Sequence, residues 1–239
     1  MKSIAIGVGD NENIIQACHI FKDKHPKTNI KLIYEDEDLV KSVLNDNIDA
    51  VIRGSLPAST IIQELKEEYP NLTRATYVCG KKYEFLLTPV GIDEGETVKE
   101  KFEIVKYCAE FLKQVGKKPK IAVLAQGRED DFNRGDEVSK SINESRELTQ
   151  LIEEKLNEDV TNYYILIEKA IDDKCNIIIP PNGRIGNIIF RTLILLNSWP
   201  SHGAISFGMD KIYIDTSRDQ SIQGYIRSLN LANELINNK

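Results

Sequence analysis

Nothing in the 239 residues approaches the roughly 20 consecutive apolar positions that a bilayer-spanning helix needs. The start, Met1 to Gly7, goes straight into a strand pattern, with no signal-peptide apolar region or cleavage site. A cytoplasmic protein with no membrane association is therefore expected. The four cysteines, Cys18, Cys79, Cys108 and Cys175, form no C-x-x-C pair, which argues against zinc ribbons, iron–sulfur clusters and disulfide frameworks. Buried structural thiols are the reading that remains. Only three histidines occur, and none has a second ligand at metal-binding spacing, so no metal site is expected. Basic excess is also missing. The formal charge is −6, and no Lys/Arg stripe marks a nucleic-acid surface.

What is present is an ordinary globular composition, 41% apolar and 28% charged, long enough to bury a sizeable core. Short apolar runs alternate with amphipathic segments. Ile4–Val8, Ile30–Tyr34 and Ala50–Ile52 read as strands, separated by helices at Asn13–Phe21 and Leu39–Leu44. Ser59–Tyr69 is a helix halted by Pro70. Thr76–Cys79 and Phe85–Thr88 form an antiparallel pair or an inserted strand. Thr97-x-x-Glu100 is a capping box that opens a helix with Val98, Phe102, Val105, Ala109 and Leu112 on one face.

The second half repeats the logic. Ile121–Ala125, Asn176–Ile179, Ala204–Phe207 and Ile212–Ile214 are predicted strands. Asp136–Leu156, Tyr164–Ile171 and Asp219–Ile236 are predicted helices, and Ile188–Leu196, apolar all round, is predicted to be a buried one. Alternation of this kind gives an α/β fold with a mainly parallel sheet. The chain reads as one unit over 1–239, with a subdomain seam near 116–120.

Ligands of open α/β sheets bind beyond the carboxyl ends of the strands. Four loops occupy such ends: Arg53-Gly54-Ser55, Gln126-Gly127-Arg128, Pro180–Asn187 with Arg184, and Thr216-Ser217-Arg218. Each carries an arginine, whose guanidinium suits phosphate or carboxylate. Gly183 and Gly186 would let backbone approach a ligand. The Gly7-Val8-Gly9 turn after the first strand fails as a dinucleotide or S-adenosylmethionine fingerprint, because the third glycine position holds Glu12. Glu35-Asp36-Glu37-Asp38 reads as a solvated helix start favoured by the helix dipole.

These segments carry a family resemblance. Pro180 through Asn187 is similar to the phosphotransacetylase segment P-D-x-N-x-G-N. Gly203–Met209 resembles that family's G-P-I-L-x-G-L strand, and Ile214–Ile222 its N-D-L-S-R-G-x-S-V signature. Asp49–Ser55 and Val115–Leu124 resemble further strand-and-loop segments of phosphate butyryltransferases. The likeness covers most of the chain in order. It identifies a member of the phosphate acetyl/butyryltransferase superfamily, and length and departures are most similar to its methanogen branch described as methyltransferase subunits.

The resemblance implies an isocitrate/isopropylmalate dehydrogenase-like fold of two interleaved subdomains with a cleft between them. It implies an anion site at Ser217 and Arg218, joined by Arg184, Gly186, Asn187, Arg53, Gly54 and Ser55. It further implies a homodimer, other methyltransferase subunits as partners, and a phosphate- or carboxylate-bearing metabolite as ligand. No cofactor is evident in the residues; coenzyme A or another phosphorylated metabolite is what the resemblance admits. The family's proposed base, seven residues after the serine, falls on Gly224, and the segment's aspartate becomes Asn182. No catalytic residue is assigned. Three functions follow: a methyltransferase-complex subunit, an acyltransferase with a relocated base, or a non-enzymatic ligand sensor or assembly protein.

Overall fold

The structure, a computed structural model, describes residues 2–237. Strand and helix alternate first as β1 (Ser3–Gly7), α1 (Asn13–Lys24), β2 (Asn29–Ile33), α2 (Asp36–Val43), β3 (Ala50–Ile52) and α3 (Ala58–Glu68). There follow β4 (Thr73–Cys79), β5 (Glu84–Leu87), α4 (Val98–Gln114), β6 (Lys120–Leu124), α5 (Asp136–Leu156), β7 (Asp159–Tyr164) and α6 (Ile167–Asp172). The chain continues with β8 (Ile177–Ile179), α7 (Gly183–Phe190), β9 (Ser201–Phe207), β10 (Ile212–Asp215) and α8 (Ile222–Asn237).

Two compact units result. One runs through Leu72 and resumes at Ser201; the other is Thr73–Pro200, inserted between its halves. The stretch 116–120, read from sequence as a seam, lies inside the second unit. It is the end of α4, where Gly116 turns at φ +75° and Lys117 N–H donates to Leu112 O at 2.8 Å. That is how a helix closes on a left-handed glycine, so the Gly-Pro punctuation marks a cap.

In the first unit the strands run in the order β2-β1-β3-β10-β9. The first four are parallel, and β9 is antiparallel to β10. Helices α2 and α3 bury Leu39, Val43, Ile61 and Leu65 against Ala5, Val51 and Tyr213 on one face. Residues of opposite parity, Ile4, Ile6 and Ile52, are fully buried on the other face. That face lies under α1 and α8, which pack on each other. Strand order therefore reverses between β1 and β3, a topological switch point.

The second unit has the order β4-β5-β8-β6-β7, with the β4/β5 hairpin antiparallel and the rest parallel. Helix α4 begins at the expected capping box, with Thr97 Oγ1 accepting from Glu100 N–H at 3.2 Å. Two expectations fail here. Asp159–Tyr164 is a strand parallel to β6, and the helix expected from Tyr164 is only Ile167–Asp172. As a sheet edge, β7 buries Tyr163 alone, so its Val, Thr and Tyr residues never form an apolar run.

Ile188–Leu196 is not a buried helix. α7 ends at Phe190, and a π-helical turn occupies Arg191–Leu196, in which Ile194 alone is buried. Ile188 and Leu196 are 65% and 77% exposed, while Ile189, Phe190 and Leu193 lean on the core beside Val78, Phe85 and Ile178. One face of the segment serves the core and the other is free. Ile194→Ala should accordingly lower unfolding free energy by about 2–4 kcal/mol. Ile188→Ser and Leu196→Ser should stay within about 0.5 kcal/mol. Denaturant titration at a protein concentration low enough to hold the chain as a monomer checks this, and equal losses in all three variants would restore the buried helix.

Candidate functional site

In the first unit the loops beyond β3 and β10 are joined through one side chain. Arg53 is 5% exposed; its Nε pairs with Asp215, Nη1 donates to Leu56 O and Nη2 to Thr216 O. Thr216 Oγ1 returns a bond to Gly54 O at 2.8 Å. The guanidinium is thus directed into the protein, which makes Arg53 a brace and leaves it unavailable to an external anion. Gly54 sits at φ +66°, and a Cβ there would lie 1.8 Å from Gly7 O. Its glycine is demanded by strand-end packing. Ser55, 3% exposed, accepts from Gly9 N–H at 2.8 Å.

Ser217 and Arg218 lie on a loop fastened from two sides. Asn11 Nδ2 donates to Arg218 O at 2.7 Å and to Gln220 O at 3.1 Å. Tyr225 OH lies 3.2 Å from Ser217 O and 3.1 Å from Arg218 O. Burial pushes the Tyr225 hydroxyl up to about 12, so it remains a donor at physiological pH. The Arg218 backbone is therefore fixed while its guanidinium is exposed, with no hydrogen bond or ion pair to a described residue. Ser217 Oγ accepts from Asp219 N–H at 3.3 Å.

The final helix starts later than the sequence suggested, at Ile222. Ser221 Oγ accepts from Gly224 N–H at 3.1 Å, so the hydroxyl meets a free donor of that helix end. Position 224 carries no side chain, so no ionisable group stands there. A Cβ would meet Gln220 Oε1 at 2.1 Å, and Gln220 is itself 4% exposed.

A cavity of about 680 Å³ lies among these loops in the first unit. It is bounded by Gly9 and Asp10 after β1, Tyr34 to Asp38 after β2, Ser55 to Pro57 after β3, Thr60 and Glu64 on α3, and Arg218. Asp10, Glu35, Asp36, Glu37, Asp38 and Glu64 put six carboxylates against one guanidinium. The acidic run read as a solvated helix start is thus also a cavity wall.

The second unit holds Arg184, Gly186 and Asn187. Asn182 caps α7, its Oδ1 accepting from Ile185 N–H at 3.0 Å. A Cβ on Gly183 would lie 1.6 Å from Gly91 O, and one on Gly186 would lie 1.9 Å from Pro89 O. Asn187 Nδ2 donates to Val90 O at 3.1 Å. These residues dock the start of α7 onto the loop after β5. The glycines expected to admit a ligand admit that loop. Arg184 is exposed and pairs with Glu96 at 3.0 Å. Beneath, buried Lys101 joins Glu144 at 3.0 Å and Pro181 O at 2.9 Å. A cavity of about 420 Å³, lined by Gln126, Lys140, Asn182 and Arg184 among others, opens here.

Sequence reasoning missed Asn11 and Tyr225, which hold the 216–220 loop; no periodicity or spacing marks them. Among the described residues no group of three His, Cys, Asp or Glu could hold a metal ion, and no helix is long and apolar enough to cross a membrane.

The fold is that of the phosphotransacylases. A branched-chain phosphotransacylase from Enterococcus faecalis superposes with a TM-score of 0.75 at 19% identity, over 99% of both chains. A phosphotransacetylase from Streptococcus pyogenes gives 0.68 at 14% identity, over 99% of this chain and 94% of that one. A beta-decarboxylating dehydrogenase from Thermococcus kodakarensis gives 0.59 at 13% identity, over 100% and 83%. These are fold likenesses across the isocitrate/isopropylmalate dehydrogenase-like class.

No family model matches the chain. Relatives in sequence do. An uncharacterized methyltransferase of Methanocaldococcus jannaschii is 36% identical over 94% of both chains. A protein of Methanosarcina barkeri, provisionally named methyltransferase mtx subunit X, is 34% identical over 80% of this chain and 72% of its own. The chain belongs to this family of methanogen proteins carrying the methyltransferase name.

Arg53→Ala and Arg218→Ala should separate brace from site. Removing Arg53 takes a buried charge partner from Asp215 and should lower stability by about 3–5 kcal/mol. Removing the unpaired Arg218 should change it by no more than about 0.5 kcal/mol. Denaturant unfolding of both variants checks this; a large loss for Arg218→Ala would make it structural.

Proposed function

We propose that the chain is a small-molecule-binding subunit of a methyltransferase system in methanogenic archaea, working in the cytoplasm, and not a phosphate acyltransferase. The observation that carries this is position 224. Where the resemblance would put a base for a thiol, the chain has glycine, which cannot take a proton. General-base assistance is typically worth about 10²–10⁴-fold, so acyl transfer by the family route is left without a large share of its rate. The naming of relatives at 34–36% identity supports the methyltransferase assignment. The ligand-binding part rests on Arg218, whose exposed guanidinium suits a carboxylate or a phosphate on the ligand.

The same reading includes a homodimer. Ile188 and Leu196 offer exposed apolar surface on one side of a segment whose other side packs into the core. Exposed apolar side chains are what subunit contacts bury.

Two measurements on the purified protein test the proposal. Mixed with acetyl phosphate and coenzyme A, it should form acetyl-coenzyme A no faster than the uncatalysed background. Expressed with an affinity tag in a methanogen, it should co-purify with methyltransferase subunits identified by mass spectrometry. Robust acetyl-coenzyme A formation, with the chain recovered alone, would overturn the assignment.

A further inference from the structure

We infer that residues 128–134, between β6 and α5, form a strap that the Glu129 carboxylate latches against α5 and β7, and that its release frees one wall of the second-unit cavity. The strap lies wholly in the second unit and does not depend on the ligand reading of Arg218 in the first.

The segment is closed on itself and lightly held from outside. Residues 129–131 make one turn of 3-10 helix. The Asp131 carboxylate accepts from Arg128 N–H at 2.8 Å and from the Arg134 guanidinium at 2.6 Å. Phe132 N–H and Arg134 N–H donate back to Glu129 O and Asp131 O at 3.2 and 3.0 Å. None of residues 128–135 is buried. A segment with its own bonds satisfied and no side chain in the core opens as a unit, at low cost.

Its ties to the body converge on one side chain. Glu129 Oε1 accepts from Tyr164 OH at 2.9 Å and from Arg146 Nη2 at 3.0 Å, so a single carboxylate joins the strap to β7 and α5 together. Arg146 also lies over the Phe132 ring, 5.5 Å from its centroid, and Asn133 N–H donates to Ser139 Oγ at 3.0 Å.

The end of β7 is bent to make that latch. Val123 stands opposite Asn162, but Leu124 stands opposite Tyr164, which leaves Tyr163 as an extra residue. Such a bulge re-aims the side chains that follow it. Tyr164 takes φ +54°, a left-handed conformation that is unfavourable for a bulky residue and persists only where its neighbours fix it. Here they do. Ala125 N–H donates to Tyr164 O at 2.8 Å, and Tyr164 N–H donates to Asn162 Oδ1 at 3.0 Å. Asn162 is itself held, its Nδ2 donating to Ser145 Oγ at 2.9 Å. Tyr163 is buried, with its hydroxyl 2.8 Å from Asp173, while Tyr164 turns to the strap. The backbone is thus held in a strained form whose visible product is one phenol aimed at one carboxylate.

Glycines flank the segment at 127 and 135, and position 135 is informative. A Cβ there would meet nothing within 4 Å, and its φ of 167° is extended backbone open to any residue. Gly135 begins α5 without a side-chain cap, so neither packing nor backbone angle calls for glycine, unlike Gly54 or Gly183. Conformational freedom is what it supplies, and loops that move turn on such positions. Gln126 before the strap and Glu137 and Lys140 after it line the cavity of about 420 Å³. Gln126 N–H is tied across to Ser141 Oγ at 3.1 Å. Motion of the strap is therefore passed to that wall, which is how loops of this kind govern access to a cavity.

Limited proteolysis with trypsin tests the inference, because Arg128 and Arg134 lie in the strap and cutting there needs local opening. Tyr164→Phe, which removes only the hydroxyl, and Glu129→Ala should each speed cutting after these two arginines by about two- to tenfold. The double variant should be cut no faster than Glu129→Ala, since both changes break the same latch. Cutting elsewhere and the melting temperature should stay constant. Amide hydrogen exchange at residues 126 and 136–141 should rise together with strap cutting in Glu129→Ala. Wild-type cutting rates in Tyr164→Phe, or faster cutting along the whole chain with a lower melting temperature, would overturn the latch. Faster strap cutting with exchange at 126 and 136–141 unchanged would overturn its link to the cavity.

Discussion

The first unit depends on the buried guanidinium of Arg53. Its bonds to Asp215, Leu56 O and Thr216 O tie the loop leaving β3 to the loop leaving β10. A buried ion pair of this kind gains little over an apolar pair in stability, but removing one partner leaves a charge without compensation. Its effect is to allow one arrangement of the two loops. Every feature assigned to ligand binding in this unit, from Ser55 to Arg218, is carried on that arrangement.

The retained family motifs acquire a physical meaning from the same kind of contact. Gly54 lies against Gly7, Gly183 against Gly91, and Gly186 against Pro89, each at a distance that leaves no space for a methyl group. Asn182 and Asn187 then satisfy the start of α7 and the Val90 carbonyl. A sequence can therefore keep the glycines and asparagines of a catalytic family because its backbone must close in the same way. The chemistry can still change at positions such as 224, where glycine stands in place of the base that the resemblance implies. Similar backbone motifs without the same reactive groups are what a common fold put to a different ligand would produce.

Much of the architecture was legible in the residues. The capping box at Thr97, the α5 boundaries at Asp136 and Leu156, and the β3 span Ala50–Ile52 all follow from local signals, which packing then reinforces. What failed did so for identifiable reasons. β7 is an edge strand with polar alternation, so hydrophobic periodicity could not mark it. The 188–196 run is apolar on both sides, yet only one side meets the core, and sequence alone does not say which apolar surface a fold will cover. Of the site, the positions of Ser55, Ser217 and Arg218 on strand-end loops were readable. That Arg53 turns inward, and that residues 35–38 wall a cavity, depends on contacts between segments distant in the chain.

The central claim is that the switch-point loops of the first unit form the ligand site and that Arg53 holds them ready. Amide hydrogen exchange on the wild-type protein and the Arg53→Ala variant tests the brace most directly, because it reports loop by loop. The account predicts faster exchange at residues 55–57 and 216–220 in the variant, with residues 182–187 unchanged. Equal exchange at residues 55–57 and 216–220 in the two proteins would contradict it.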